Sequence, residues 1–97
     1  MQVKAESADR RLRLRLSGEL DHHAARQLMK NIANELEYAL PLEVILDFSG
    51  VTFMDSSGVG LILGRGRHIR ALGGRLTVQN PPAAIRRMLD LARIAYA

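Results

Sequence analysis

The 97-residue sequence has no cysteine and no tryptophan, and its aromatic side chains are two phenylalanines and two tyrosines. Without thiols there is no disulfide framework, no thiolate nucleophile and no sulfur ligand for a metal, and the expected compartment is the cytoplasm. With only Phe48, Phe53, Tyr38 and Tyr96 available, the core must be built from Leu, Ile, Val and Ala, and a base-stacking surface has little to work with. No apolar run approaches the ~20 residues of a membrane span, and Met1-Gln2-Val3-Lys4 leads into alternating sequence with no apolar signal region. The expectation is a soluble chain without a membrane partner. Acidic residues are scarce in one part of the chain. Residues 1–60 carry seven Lys/Arg against nine Asp/Glu, whereas residues 61–97 carry seven Arg against Asp90 alone. These arginines read as solvated helix faces or as an electropositive face that steers an acidic protein partner, with no direct nucleic-acid contact expected.

What remains is enough for one small domain, which at this length buries a bit over ~60% of its unfolded surface. Leu12, Leu14 and Leu16 alternate with Arg11, Arg13 and Arg15, a half-buried strand with one wet face. Val3 to Ser7 pair with it through a turn at Ala8-Asp9-Arg10. Asp21 can cap the next helix, in which Ala24, Leu28, Ile32, Leu36 and Leu40 recur every four residues and which Pro41 stops. Val44-Ile45-Leu46 is continuously apolar, which suits a central strand covered on both faces. A helix from Ser56 ends at Gly73-Gly74, Leu76-Thr77-Val78 forms a short strand, and a last helix opens with Pro82 near its first position and buries Ile85, Met88, Leu89 and Ala92. The order β-β-α-β-α-β-α predicts an α/β fold, a mixed sheet with helices packed mainly on one face.

The segment Asp55-Ser56-Ser57-Gly58 follows the central strand and opens a helix. Two hydroxyls beside a carboxylate and a glycine at the positive end of a helix dipole suit the binding or attachment of a phosphate. A capped helix start alone would explain the tetrapeptide. The helix, however, also carries Gly58, Gly60, Gly64 and Gly66, and interior glycines cost about 0.5–1 kcal/mol each relative to alanine. Bare positions are useful where another surface approaches the backbone. No catalytic residues accompany the serines: the pattern is neither a Gly-x-Ser-x-Gly elbow nor a phosphate-cradling loop with its lysine. His22 and His23 diverge on a helix and His68 is isolated, so neither a metal site nor a cofactor site is expected. A serine without a base is a poor nucleophile and a good substrate.

Gly18-Glu19-Leu20-Asp21-His22-His23-Ala24-Ala25, followed by Phe53-Met54-Asp55-Ser56-Ser57-Gly58-Val59-Gly60-Leu61-Ile62-Leu63-Gly64-Arg65, resembles the STAS-domain anti-sigma factor antagonists from about Val3 to Leu91. The His22-His23 match points to the sporulation, sigma-F branch. The resemblance implies a single STAS domain over 1–97, with no enzymatic activity of its own. It implies that an anti-sigma factor with serine kinase activity phosphorylates Ser56 and that a PPM-type serine phosphatase reverses this. The unmodified protein would bind the anti-sigma factor and release the sigma factor. Asp21, Asp55, Ser57, Gly58 and Gly60 are the matching positions expected at the partner surface. The alternative within the same fold is a sensor or scaffold module of a stress-signalling assembly, or a general-stress sigma pathway. One departure stands out. Family members continue past the last helix through a Ser-Gly-Leu-like turn into a further strand and helix. Here the region reads Leu91-Ala92-Arg93-Ile94-Ala95-Tyr96-Ala97, so the expectation is a shortened C-terminus, a last helix that runs on or frays, and a monomer or weak dimer.

Overall fold

The computed structural model describes residues 1–39, 41 and 43–97. The Leu/Arg alternation becomes the ten-residue strand β2 (Arg11–Leu20), preceded by its hairpin partner β1 (Gln2–Ala8). Helix α1 (His22–Ala39), strand β3 (Glu43–Met54), helix α2 (Ser56–Ala71), strand β4 (Arg75–Gln79) and helix α3 (Ala83–Leu91) follow. The strands stand in the order β1-β2-β3-β4, with β1 antiparallel to β2 and both β2–β3 and β3–β4 parallel. The parallel pairs require crossovers, which α1 and α2 supply. Leu40, expected in the α1 stripe, lies outside the described residues.

Helices α1, α2 and α3 contribute to one core on one face of the sheet. Leu12, Leu14 and Leu16 of β2, Val44, Leu46 and Phe48 of β3 and Val78 of β4 form a single cluster with Leu28, Ile32 and Leu36 of α1, Leu61 and Ile69 of α2, and Ile85 and Leu89 of α3. The opposite face is covered differently from expectation. Among the described residues no second helical layer lies on Val44-Ile45-Leu46; the residues beside Ile45 on that face are polar and come from β2, β3 and β4. Parallel register sets Arg13 opposite Ile45 and Arg15 opposite Asp47. Arg13 donates to Asp47 Oδ2 at 2.7 Å and to Gln79 Oε1 at 3.0 Å, and Arg15 Nε lies 3.8 Å from the same Oδ2. Aliphatic arginine stems can cover an apolar strand face while their charged heads stay in water.

Asp47 is the one buried charged residue among the described residues, at 3% exposure. Burial alone would raise its pKa. The Ser49 backbone N–H (3.0 Å), the Ser49 hydroxyl, Asn80 and Arg13 outweigh that and lower it from 3.8 to about 2. The hydrogen bonds favour the ionised form more than the lost hydration opposes it.

Both central residues of the β1–β2 turn are left-handed: Asp9 has φ 51° and Arg10 φ 62°. This is the two-residue geometry that matches strand twist, normally filled by Asp-Gly or Asn-Gly. Arg10→Gly removes a Cβ clash and is expected to stabilise the protein by about 1 kcal/mol, read as a higher urea midpoint.

Pro82 lies where expected, beside the first helical position, as the N-cap of α3, and it offers no side-chain hydrogen bond. The end of the helix differs from expectation: it neither runs on nor frays. Arg93 takes φ 57°, the Ile94 N–H donates to the Leu89 carbonyl at 2.9 Å, and the Arg93 N–H to Asp90 at 3.1 Å. That is the same pair of bonds with which Gly73 and Gly74 close α2 on Arg70 and Ile69. A non-glycine residue in the left-handed cap leaves no sequence signal for the stop. Beyond it, Tyr96 bridges Val78 in parallel, and the Ala97 N–H donates to the Val78 carbonyl at 2.9 Å.

Candidate functional site at the start of helix α2

Strands β2 and β3 are parallel, so the segments that follow them leave the sheet at the same end. The Asp55 N–H donates to the Leu20 carbonyl at 3.3 Å, which ties the exit of β3 to that of β2. Helices α1 and α2 therefore begin side by side. Asp21 accepts the Ala24 N–H on Oδ1 at 2.9 Å and opens α1; Asp55 accepts the Ser57 N–H on Oδ1 at 2.8 Å and opens α2. Each carboxylate fills one of the orphan donors of a helix N-terminus.

The two adjacent serines are not equivalent. Ser57 is half-buried, and its Oγ lies 3.4 Å from His22 Nδ1. Ser56 is exposed, and its hydroxyl takes no partner among the described residues. The Gly58 N–H is used by the Asp55 carbonyl at 3.0 Å, and the Ser57 N–H by the Asp55 side chain, whereas the Ser56 N–H has no partner among the described residues. One free hydroxyl and one free amide thus stand at the positive end of the dipole. His22 was absent from the expected site residues. The sequence marks it by its place directly after the Asp21 cap and within the family match, and neither signal reveals its meeting with Ser57, which depends on the parallel pairing of the two preceding strands.

The glycines divide into two kinds. A Cβ on Gly58 would overlap Met54 Cγ, lie 2.7 Å from Met54 Sδ and 3.1 Å from Leu20 Cδ2. Gly58 is buried, so its bareness serves the packing of α2 on the ends of β2 and β3. Gly58→Ala is expected to destabilise the fold by about 1–3 kcal/mol, read as a lower melting temperature. A Cβ on Gly60 or Gly64 would meet nothing within 4 Å among the described residues. With His22, Arg26, Met29, Ser57 and Arg65 they line a groove between α1 and α2 of about 270 Å³. That lies at or below the low end of small-ligand pockets and suits a protruding side chain better than a nucleotide. Phe53, 49% exposed, stands two residues before Asp55. Among the described residues, no cluster of three His, Asp or Glu could hold a metal, and no helix is long and apolar enough to cross a membrane.

This fold with this helix start defines a known class. The STAS domain model matches residues 2–95. The chain belongs to the STAS-domain family of anti-sigma factor antagonists. It is 40% identical over 79 residues to the anti-sigma F factor antagonist of Lysinibacillus sphaericus, covering 81% of this chain and 68% of that protein. It overlays the unphosphorylated form of the anti-sigma factor antagonist SpoIIAA with a TM-score of 0.87 at 35% identity, covering 99% of this chain and 88% of that one. The phosphorylated form of SpoIIAA, a Bacillus cell fate determinant, gives 0.78 at 37% identity, with 94% and 83% covered.

Proposed function

We propose that this protein is a phosphorylation-controlled antagonist of an anti-sigma factor, acting in a sigma-F-type pathway. Unmodified, it binds an anti-sigma factor that is also a serine kinase and so frees the sigma factor. Phosphorylated on Ser56, it no longer binds, and a PPM-type phosphatase restores it. The observation that carries this reading is the difference between the two serines: Ser56 offers an exposed, unengaged hydroxyl at the start of α2, while Ser57 faces His22. Support also comes from the relatives' identity as antagonists and from the overlay with both phosphorylation states of SpoIIAA.

In this reading the protein is acted upon. Asp55 holds the turn and need not be a base, because the kinase brings ATP, metal and catalytic groups. Asp21 spends one oxygen on its cap and can offer the other to a cation of the partner. Gly60 and Gly64 leave the partner a close approach to α2.

The direct test is incubation with the cognate anti-sigma kinase and ATP, followed by intact mass and site mapping. One phosphate at Ser56 is expected, retained in Ser57→Ala and absent from Ser56→Ala. Failure of the wild type to accept phosphate from its own kinase would overturn the proposal. A second expected result concerns the groove. Gly60→Ala and Gly64→Ala each add about 0.5–1 kcal/mol of helix stability. The double variant should therefore melt higher yet bind the anti-sigma factor about tenfold more weakly, as calorimetric titration would show.

A further inference from the structure

The two edges of the sheet are unequal. The outer edge of β4 is occupied near its C-terminal end by Tyr96 and Ala97. Among the described residues, no strand lies beside the outer edge of β1 over its seven residues, Gln2–Ala8. β1 has no proline and no bulge, and it pairs without a break with β2 from Gln2↔Ser17 to Ala8↔Arg11; its only edge protection is the charge of Lys4 and Glu6. A regular, unpaired edge is a template for another strand.

The charges on β1 select which strand. Lys4 and Glu6 are two apart and so share a face, the one that also carries Arg13 and Arg15. Within the chain Lys4 stands opposite Arg15, a like charge, and Glu6 opposite Arg13, which is already engaged by Asp47 and Gln79. Neither Lys4 nor Glu6 makes an ion pair among the described residues. Consider a second copy laid antiparallel along β1 with the two-fold axis through Ala5. Lys4 then faces Glu6 of the second copy, and Glu6 faces its Lys4. Val3 faces Ser7, and Gln2 faces Ala8. A strand edge presents outward amides on every other residue, so the neighbouring permitted registers differ by two in the sum of paired numbers. One of these sets Lys4 against Lys4, the other Glu6 against Glu6. Cross-strand opposite charges stabilise a pair and like charges directly opposite destabilise it, so the register about Ala5 is favoured and its neighbours are penalised.

We infer that β1 is a homodimerisation edge: two copies join β1 to β1 about Ala5 into a continuous eight-stranded sheet, held in register by reciprocal Lys4–Glu6 pairs. The interface is isologous and closes on itself, so it yields a dimer and no filament. One strand edge is a small contact, and the dimer belongs to the weak, concentration-dependent class, with a dissociation constant on the order of 100 µM. β2 lies between β1 and the exit of β3, so Ser56 stays open in both copies.

Sedimentation velocity across about 10 µM to 1 mM tests this on the full chain. The wild type is expected to pass from monomer to dimer. Lys4→Glu sets four acidic side chains along the joint, and Glu6→Lys four lysines; each alone is expected to weaken dimerisation about tenfold or more. An equimolar mixture of the two single variants is expected to recover the dimer as a heterodimer, and the double swap Lys4→Glu/Glu6→Lys to recover it alone. Both residues are exposed, so far-UV circular dichroism should be unchanged. Ser56→Asp should dimerise like the wild type. A wild type that stays monomeric throughout, single variants that dimerise like the wild type, or a mixture that fails to rescue would each overturn the inference.

Discussion

Phosphorylation of Ser56, or the substitution Ser56→Asp, is expected to weaken binding to the anti-sigma factor at least about 100-fold while moving the melting temperature by no more than a few degrees. The two halves of this expectation have separate physical origins. Within the chain, a phosphate adds about −1.5 to −2 charges and three acceptor oxygens. It arrives at a helix N-terminus whose dipole favours negative charge by about 0.3–1 kcal/mol, and beside a Ser56 N–H that has no other partner among the described residues. The Asp55 carboxylate opposes it, but Asp55 is already committed to the Ser57 N–H at 2.8 Å, so the cap need not rearrange. The fold gains and loses little. At the partner surface the same group must be stripped of water, and without a matching cation that costs several kcal/mol, each 1.4 kcal/mol being tenfold in affinity. Calorimetric titration against the anti-sigma factor, with thermal melts of both forms, measures the two halves independently. Undiminished binding by the phosphorylated form would sink the switch; a melting temperature lowered by more than about 10 °C would show that the phosphate acts through the fold.

Asp47→Ala should have the largest effect on stability. It strips Arg13 of a 2.7 Å ion pair on a strand interior and leaves the Ser49 N–H and Asn80 amide without their acceptor. Loss of one member of such a buried network costs about 2–4 kcal/mol, which for a chain of this size is a fall of about 10–20 °C in melting temperature. The pH dependence follows from the same residue. Its pKa is lower in the folded state, about 2 against 3.8. The unfolded chain therefore binds a proton first, and the stabilisation is present above pH 4 and is lost as pH falls through 2. The contribution at neutral pH is about 2 kcal/mol. Urea midpoints should fall between pH 4 and pH 2 in the wild type and fall less steeply in Asp47→Asn. An equal slope in the two proteins would mean that other carboxylates carry the acid sensitivity. By contrast, the exposed Arg75 and Arg11 pairs with Glu43 should contribute less than about 1 kcal/mol.

Local signals in the sequence matched the structure where the residue type and the backbone need agreed. Alternating leucines became β2, four-residue spacing became α1, and paired glycines became the end of α2. The signals failed where an ordinary residue adopts an unusual conformation or where coverage comes from distant side chains. Arg93 closes α3 in the left-handed conformation without the glycine that would have announced it. Ile45 lies on a face without a helical layer, beneath a network that joins β2, β3 and β4, and an apolar tripeptide does not reveal what lies on top of it.

The sequence by itself determined the element order, the family, and the presence of a serine at a capped helix start with nothing to activate it. These are local properties, set by spacing of a few residues and by the chemistry of single side chains. Only the tertiary structure decided which serine is free. Parallel pairing of β2 and β3 starts both helices at one end of the sheet, and that brings His22 to Ser57 across 35 positions and leaves Ser56 open. It also separated Gly58, which packs against Met54 and Leu20, from Gly60 and Gly64, which face open space. Glycine looks the same in every sequence; only the atoms brought near it by folding distinguish a packing requirement from a vacant surface.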